Sequence, residues 1–542
     1  MKNIFKNFID VNANNEILTK TRLNFVFLCL LSIFFVLSFR LIYISAFLKK
    51  EKTLSLEEIS SSTFRKRVDI IDRTGEKIAS DIELVNFYIN RELVSNPKAT
   101  VEIIKKIFPS ANTKKLYERL INTNSKAKYI LVKRNITPKQ QNLIKNSGLI
   151  GFEFYHTVGR VYPHKNLFSH VVGYVNIDMQ GMAGLEAQYD EYLKNPQNEP
   201  LQLTLDIRIQ SILRQQLLKA LKKYKAKSAI GIVSEVKTGN ILAIVSLPDF
   251  DPNQSNLADQ NSLYNRATYG VYEMGSIFKA LTVAFALDKN ITNVNKKYDV
   301  SQVITYGKYI IKQDVYSKKL LTPEEILIKS SNVGAGLIGI EIGDERMKDF
   351  LNKIGMFDRV PANFPSLAKP LLPHIWRDIN TITASYGHGI AVTPLHIVMT
   401  IGGIVNDGIM KVPNFTTLDS FEDTKIISKK TSDTMKYMLR EVVKKGTGWR
   451  ANTLGYSVGG KTGSARLLKN GQYQEGDIMA NFVGIFPMNN PSYLVYVMIE
   501  SPYAPELKSN ISGGTISAPV FSRIVENIAP VLNVMPYINR IE

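Results

Sequence analysis

Cysteine is almost absent from this 542-residue chain: the only one is Cys29, inside an apolar run near the N-terminus. A single thiol excludes an intrachain disulfide and a cluster of thiolate metal ligands, and it argues against a cysteine nucleophile. Histidine is also scarce, and none of the six residues, at 156, 164, 170, 374, 388 and 396, forms a close metal-ligand pair with another. The sequence therefore gives no sign of a metal site.

Acidic residues are fewer than basic ones, 48 against 68, which leaves a formal net charge of +20. Such a charge attracts polyanions in general. The basic residues are spread along the chain rather than gathered in one stripe, so we do not predict nucleic-acid binding. Apolar residues make up 44% of the chain, enough for real cores, and the length suggests three or four domains.

One long apolar stretch covers residues 23–48, interrupted by Arg40. A membrane helix needs about 20 apolar residues, and an arginine near one end can reach the interface. A cleaved signal peptide is the alternative, but the run is long and lacks a clear small-x-small cleavage site. We expect a single uncleaved transmembrane anchor at 23–48, preceded by a short polar tail at 1–22.

The next segment, 53–195, mixes short apolar runs with turn signals. Its local patterns predict strand, turn and strand over 67–79, helices at 99–108 and 138–146, and paired strands at 159–163 and 170–176. No serine in it precedes a lysine at the opening of an apolar helix. We therefore interpret 53–195 as a pedestal or docking module.

A polar, turn-rich boundary at 195–200 precedes a second large domain, 201–535. This domain opens with an alternating strand and a helical pattern over 206–223, and two strands follow at 228–234 and 240–246. Further helices lead to a strand-rich end at 479–500. The pattern predicts a mixed helix and strand domain whose sheet combines segments far apart in sequence.

Ser276 and Lys279 stand three residues apart at the opening of an apolar helical run. This spacing places both side chains on one helix face, where they can touch. A serine hydroxyl needs a nearby base, and a lysine becomes one only if burial and its neighbours lower its pKa. The spacing alone is weak evidence, because it recurs at Ser95 to Lys98 and at Ser125 to Lys128.

Two further motifs follow in order. Ser330-Ser331-Asn332 lies between two helical patterns, and Lys461-Thr462-Gly463 follows a pair of glycines. Each is common by itself, since Lys237-Thr238-Gly239 reads as no more than a hairpin turn. Ser-x-x-Lys, Ser-x-Asn and Lys-Thr-Gly in this order are the signature of penicillin-recognising serine enzymes.

With these motifs the chain resembles the class B penicillin-binding proteins, over nearly its whole length. Further stretches typical of the family are 67–79, 159–176, 181–186, 265–267, 385–389, 393–395, 446–448 and 513–521. The resemblance implies an α+β fold: a transmembrane helix, an elongated mainly-β or mixed pedestal, and a transpeptidase domain like that of serine β-lactamases, with an antiparallel sheet packed between helices. Two departures are Met274, where relatives often have proline, and Ser464, where threonine is common.

The resemblance also implies the chemistry. A peptidoglycan D,D-transpeptidase forms an acyl-enzyme on Ser276, with Lys279 accepting the serine proton. Ser330 and Lys461 would relay a proton to the leaving amine. For binding, it implies that Asn332 holds the substrate amide and that Thr462 and Ser464 bind the terminal carboxylate, with Gly463 also among the substrate-binding residues. The backbone N–H groups of Ser276 and Ser464 would form the oxyanion hole. No metal or cofactor is implied.

The implied partners are stem peptides ending in D-Ala-D-Ala, β-lactams, a membrane glycosyltransferase and other division proteins. The motifs look most like the septal branch of the family, with the side-wall elongation branch as the alternative. The enzyme would sit in the inner membrane with its catalytic domain outside the cytoplasm. A β-lactamase would be much shorter, a membrane β-lactam sensor would need extra helices, and intact motifs argue against a non-catalytic division scaffold.

Overall fold

The structure is a computed structural model, and it describes residues 15–47, 66–122, 127–307, 309–311, 319–469, 472–507 and 510–537. Contacts divide the chain into two compact units. The smaller unit comprises residues 1–64 and 85–156, and the larger unit comprises residues 65–84 and 157–542.

The N-terminal apolar stretch lies in a helix, Asn15–Phe47. The side chains described in it, residues 24–40, are nearly all exposed. In the described part of the chain, no helix is long and apolar enough to cross a membrane. The anchor predicted at 23–48 therefore stays a prediction, and residues 1–14 of the predicted tail lie outside the described residues.

In the smaller unit, residues 85–156 form a small mixed fold. Its helices are Pro97–Ile107, Thr113–Ile121 and Pro138–Lys145, and its strands are Tyr129–Lys133 and parts of Lys77–Asn90 and Phe152–Val161. Each helix opens on a side-chain cap, Asn96, Asn112 or Thr137, which accepts a backbone N–H of the first turn. The two predicted helices are confirmed, whereas Thr113–Ile121 was not expected.

The larger unit begins with the predicted strand, turn and strand. Ile70–Ile71 pairs antiparallel with the start of Lys77–Asn90 and parallel with Leu201–Gln202. The turn forms around Asp72, whose carboxylate accepts the backbone N–H groups of Thr74 and Glu76. An aspartate side chain can close a turn by accepting backbone N–H groups in place of a backbone carbonyl.

The expectation of a strand at 170–176 is wrong. Ser169–Val172 is a short helix that continues a 3₁₀ turn, Lys165–Phe168, and it ends at Gly173 with φ +76°. The β-branched pair Val171 and Val172 suggested a strand, but a short apolar run does not distinguish a strand from a buried helical turn. Both valines are buried in the core of the larger unit.

A five-stranded sheet forms the centre of the larger unit. In spatial order its strands are Gly459–Lys469, Gln472–Phe486, Tyr493–Glu500, Ser228–Glu235 and Ile241–Leu247, and every pairing is antiparallel. Segments more than 200 residues apart thus meet, as when Tyr493 pairs with Glu235. The predicted sheet of distant segments is confirmed.

Side chains alternate between the two faces of this sheet. Ile230 and Ile232 point into one apolar core, while Ala229 and Val233 point into another. Two helices cover the second core, Ile207–Tyr224 and Ser517–Ile528. The first core is packed by helices Phe278–Asp288, Pro323–Lys329, Asn332–Ile342, Pro394–Val405 and Lys429–Lys445. The predicted mixed fold, with an antiparallel sheet between helices, is confirmed.

Candidate active site

Ser276 lies in a 3₁₀ turn, Gly275–Ile277, that runs directly into the helix Phe278–Asp288. Lys279 follows one turn later, and its Nζ donates to Ser276 Oγ over 2.9 Å. Nearly the whole helix is buried, so the apolar core fixes both side chains. The predicted contact between serine and lysine is present.

Gly275 allows the turn to lie against the strand Gly459–Lys469. Its φ is +55°, and a Cβ there would stand 2.6 Å from the carbonyl oxygen of Ser464. Its N–H donates to the carbonyl of Gly387 over 3.1 Å. Gly387, with φ +82°, has no room for a Cβ either, because that atom would stand 2.1 Å from the carbonyl oxygen of Gly275.

Ser330 ends the helix Pro323–Lys329 in a left-handed conformation, with φ 58° and ψ 44°. Ser331 then caps the next helix by accepting the N–H of Gly334. This sharp reversal places the Ser330 hydroxyl between two amines, 3.2 Å from Lys279 Nζ and 3.0 Å from Lys461 Nζ. Lys279 also donates to the Ser330 carbonyl over 2.6 Å.

Lys461 stands on the strand Gly459–Lys469, and its side chain is fully buried, as is that of Lys279. Burial removes the water that stabilises an ammonium, and it lowers the pKa of Lys461 to about 7. Lys461 can therefore hold or release a proton near neutral pH. Its Nζ also donates to the carbonyl of Thr462 over 3.1 Å.

The residues after Lys461 form one wall of the site. The hydroxyl of Thr462 shares a 2.8 Å hydrogen bond with that of Thr447, and Ser464 Oγ accepts the N–H of Gly513 over 3.0 Å. Position 463 has room only for glycine, because a Cβ there would stand 1.8 Å from the Asn481 side-chain oxygen.

Asn332 opens the helix Asn332–Ile342 and faces a cavity of about 480 Å³. Ser464 lines the same cavity from the strand side. The motifs around Ser276, Ser330 and Lys461 are thus joined by direct hydrogen bonds, and Asn332 and Ser464 border a space large enough for part of a peptide.

The second Lys-Thr-Gly sequence lies in a hairpin turn. Lys237 and Thr238 are exposed in the turn between the strands Ser228–Glu235 and Ile241–Leu247. Ser95 is an exposed residue before the helix Pro97–Ile107. Ser125 lies outside the described residues.

Two polar residues of the cavity were not singled out as site residues from the sequence. His388 and Arg466 both line it. Arg466 could have been found from strand alternation, because residues two apart on a strand share a face and Ser464 was already a candidate. His388 carried no such signal beyond its place in the stretch 385–389.

Chemically, the site offers a hydroxyl bonded to a buried amine, and a second hydroxyl shared between that amine and another. A nucleophile with a base in contact, held in a water-poor setting, suits acyl transfer through a covalent intermediate.

Comparison with known families gives two matches. Residues 63–199 match the penicillin-binding protein dimerisation domain, and residues 229–526 match the penicillin-binding protein transpeptidase domain.

Several curated proteins are similar over most of their length. The protein named probable peptidoglycan D,D-transpeptidase FtsI in Caulobacter vibrioides is 30% identical over 86% of this chain and 82% of its own. Stage V sporulation protein D of Bacillus subtilis is 29% identical over 97% of this chain and 88% of its own. Peptidoglycan D,D-transpeptidase FtsI of Escherichia coli K12 is 27% identical over 77% and 74%.

Among solved structures, the fold is similar to that of a candidate peptidoglycan glycosyltransferase from Atopobium parvulum, with a TM-score of 0.67. That similarity covers 87% of this chain and 98% of the other, at 24% identity, and it supports the fold assignment only.

Proposed function

The chain belongs to the class B penicillin-binding proteins and is a serine-type peptidoglycan D,D-transpeptidase of the FtsI kind, and from this premise we propose which residues carry the reaction. Its substrate is peptidoglycan, and it binds β-lactams. The observation that supports our assignment best is the 2.9 Å contact from Lys279 Nζ to Ser276 Oγ, with Ser330 Oγ bridging to Lys461.

In the first half-reaction, Ser276 Oγ attacks the carbonyl carbon of the penultimate D-alanine, and Lys279, as a neutral amine, takes the serine proton. The carbon–nitrogen bond to the terminal D-alanine breaks. Ser330 relays a proton from the two lysines to the departing amine, so that D-alanine leaves and an ester remains on Ser276. The hydrogen bonds among these groups give a continuous route for that proton.

Substrate binding falls to the surrounding residues. Asn332 holds the amide that precedes the scissile bond. Thr462 and Ser464 bind the terminal carboxylate beside Lys461, and the close packing of Gly463 keeps the strand against the nucleophile turn. The backbone N–H groups of Ser276 and Ser464 stabilise the oxyanion, and each such donor contributes about 3–4 kcal/mol in other acyl transferases.

In the second half-reaction, an amine of a neighbouring stem peptide attacks the ester carbonyl. A new amide bond forms, the bond to Ser276 Oγ breaks, and the amine proton returns through the same groups to the serine oxygen. The product is a cross-link between two stems, and the enzyme is regenerated. A β-lactam acylates Ser276 in place of the donor and inhibits the enzyme.

We further propose a cytoplasmic tail at 1–22, a single anchor at 23–48, a pedestal at 53–195 and the transpeptidase domain at 201–535, outside the cytoplasm. Phe25, Phe34 and Phe39 are each more than 60% exposed on the first helix, which suits a lipid environment. A membrane glycosyltransferase and other division proteins are the partners, and the division septum is the site of action. The elongation branch is the alternative, and localising a fluorescent fusion to the septum or the side wall separates the two.

The catalytic assignment is tested with Ser276→Ala. We expect this variant to lose covalent labelling by a fluorescent penicillin and release of D-alanine from a pentapeptide, while its melting temperature stays within a few degrees of the wild type. Ser95→Ala is the matched control and should label fully. Mass spectrometry that locates the penicillin adduct on another serine would refute the assignment.

A further inference from the structure

A second cavity, of about 380 Å³, lies at one end of the central sheet, and the reaction described above makes no use of it. One side of it is formed by the turn at 487–492, which joins two strands of the sheet. The other side is formed by the C-terminal segment 532–537, and Tyr456 also lines it. This sheet-end cavity shares no lining residue with the cavity beside Ser464.

Backbone hydrogen bonds hold both sides of the sheet-end cavity in place. The N–H of Met488 donates to the Ser457 carbonyl over 2.7 Å, and the N–H of Tyr537 donates to the Gly455 carbonyl over 2.6 Å. Both acceptors belong to the loop that precedes the strand Gly459–Lys469, so a single loop supports the turn and the C-terminal segment. The cavity is therefore formed by the folded chain itself, as is usual for ligand sites.

The described residues that line the sheet-end cavity include no Asp, Glu, Lys, Arg or His. Apart from tyrosine hydroxyls, its polar side chains are the amides of Asn489, Asn490 and Asn533 and the hydroxyl of Ser492. Charged residues make up 21% of this chain, so a surface cavity without any is unusual. A phosphate, a carboxylate or an amine would lose water here without gaining a partner of opposite charge. The cavity therefore fits an uncharged ligand.

Amides and aromatic rings together surround the sheet-end cavity. The three asparagines are exposed, and each amide can both donate and accept a hydrogen bond. Tyr456 and Tyr493 are half-buried, and the Tyr493 ring packs 5.6 Å from the Phe486 ring, centroid to centroid. Tyr537 is 51% exposed and offers its ring face to a ligand. Hydroxyls, an amide group and apolar C–H faces on one neutral molecule match this lining, and an N-acetylated sugar combines all three.

The sheet-end cavity also lies within reach of a glycan strand that is reacting at Ser276. Ser464 pairs with Ala480, and the cavity begins at Pro487, seven residues further along the chain. At about 3.3 Å per residue, that separation is about 23 Å. An extended pentapeptide spans about 17 Å, and the sugar that carries it adds to this reach.

We propose that the sheet-end cavity binds an N-acetylated sugar of the glycan strand whose stem peptide reacts at Ser276, and this assignment rests on the proposed function for the place of the stem. The sugar ring packs against Tyr537, and its hydroxyl and acetamide groups exchange hydrogen bonds with Asn489 and Asn533. The cavity thereby holds the strand while its stem peptide enters the active site. The step is one of binding, and no bond is made or broken in it.

The test measures binding of a tetrasaccharide of N-acetylglucosamine, a peptide-free probe, to the full-length protein by titration followed with NMR. Binding should persist after penicillin has acylated Ser276, because the sugar lies outside the active site. Tyr537→Ala removes the ring and Asn489→Ala removes the amide, and each should raise the Kd roughly three- to tenfold. Tyr437→Ala, at a tyrosine that is 55% exposed outside the cavity, is the matched control and should leave the Kd unchanged.

Release of D-alanine distinguishes a contact with the glycan from a contact with the stem peptide. With short glycan strands that carry pentapeptides, Tyr537→Ala should raise KM several-fold at unchanged kcat, because the second contact raises the effective concentration of the donor. With a free pentapeptide this difference from the wild type should disappear. An equal rise in KM with both donors would place the effect at the active site and overturn the inference.

Penicillin acylation is measured on every protein. If penicillin acylates the wild type but no tetrasaccharide binds, or if the Kd is the same in all variants, this inference alone is overturned. Binding that is lost on acylation also overturns it, since the sugar would then lie in the active site. A Tyr537→Ala protein that fails to support growth, in the absence of any sugar binding by the wild type, would assign the cavity to a protein partner instead. A wild type that penicillin does not acylate overturns the proposed function.

Discussion

Two buried lysines distinguish this site from an ordinary serine on a helix. At Lys461, removal of the amine from water disfavours its charged form and lowers its pKa to about 7, so this lysine can exchange protons near neutral pH. The sequence predicted the contact between Ser276 and Lys279 from their spacing alone. It could not predict the hydroxyl of Ser330 between two amines, because that geometry depends on one left-handed residue at the end of a helix.

Replacing Lys461 with methionine should stabilise the protein while removing activity. The pKa of Lys461 is about 7 in the folded state and 10.5 as an ordinary lysine. Unfolding therefore takes up a proton between pH 7 and pH 10.5, and the wild type gains stability as the pH rises through that window. The uncharged variant Lys461→Met lacks this dependence, so its advantage should be largest at or below pH 7, on the order of a few kcal/mol.

Urea unfolding of both proteins at pH 6.5 and pH 9.5 measures this effect. The free-energy difference between variant and wild type should shrink at the higher pH. A difference that is the same at both pH values would mean that Lys461 is not the group that titrates. Lys237→Met, at an exposed lysine, serves as the control and should show no such change.

Lys279→Arg keeps the approximate length of the side chain and its hydrogen-bond donors but replaces the neutral base with a permanently charged group. A guanidinium does not release its proton in a protein, so it cannot take one from Ser276. We expect acylation by penicillin to fall at least about a hundredfold, the usual contribution of general base catalysis. Stopped-flow acylation measures it, with a melting curve to show that the variant is folded; a rate within tenfold of the wild type would identify another base.

At the scale of elements, the sequence predicted the helix at 206–223, the strands at 228–234 and 240–246 and the strand-rich end at 479–500, because their apolar periods are regular. It failed at 170–176, where β-branched residues occupy a helical turn within the core. It also missed the helix Thr113–Ile121, which is short and rich in charge. Short elements depend on tertiary packing more than on their own pattern.

Two glycines allow a direct test of how the loop at 385–389 supports the nucleophile turn. A Cβ on Gly387 would stand 2.1 Å from the carbonyl oxygen of Gly275, and its φ of +82° is unfavourable for alanine. Gly387→Ala should therefore displace the turn, lower the melting temperature and slow penicillin acylation at least about tenfold, since catalytic groups tolerate little displacement.

Gly402→Ala is the matched control for that substitution. It lies within the helix Pro394–Val405, and a Cβ there meets nothing within 4 Å. Alanine is favoured over glycine inside a helix by about 0.5–1 kcal/mol, so this variant should be as stable as the wild type or more so, with unchanged acylation. If Gly387→Ala and Gly402→Ala lowered the melting temperature and the acylation rate equally, Gly387 would have no special role.

At the scale of the whole molecule, the order of the motifs predicted a catalytic domain built from distant segments, and the five-stranded sheet has that form. The pairing of Leu201–Gln202 with Ile70–Ile71 could not be predicted, because nothing in either dipeptide identifies its partner. A fragment that starts at Leu201 would lose this pairing and expose Leu201, which is fully buried. It is therefore a poor way to separate catalysis from any role of the preceding residues.

Replacing residues 85–156 is a better way to separate catalysis from any role of the N-terminal part of the chain. This segment carries thirteen lysines and arginines against four acidic residues, a stronger positive bias than the rest of the chain has, and most of these basic side chains are exposed. Such a surface favours an acidic partner. The residues that flank this segment, up to residue 84 and from residue 157 onward, belong to the larger unit. They lie close together, because a Cβ on Gly159 would stand 2.1 Å from Leu84 Cδ1. A short linker can therefore replace the segment between them.

We therefore predict that a protein in which a Gly/Ser linker replaces residues 85–156 keeps penicillin acylation within a few fold of the wild type but fails to support growth. The physical reason is that the groups around Ser276 all belong to the larger unit, whereas the proposed partner binds the deleted segment. A second variant, with Lys105, Lys106, Lys114 and Lys115 changed to glutamate, keeps the segment and reverses its charge. It should acylate normally and also fail to complement. Full growth with either variant would contradict a partner-binding role, and lost acylation in the linker variant would show that residues 85–156 are needed for the active site itself.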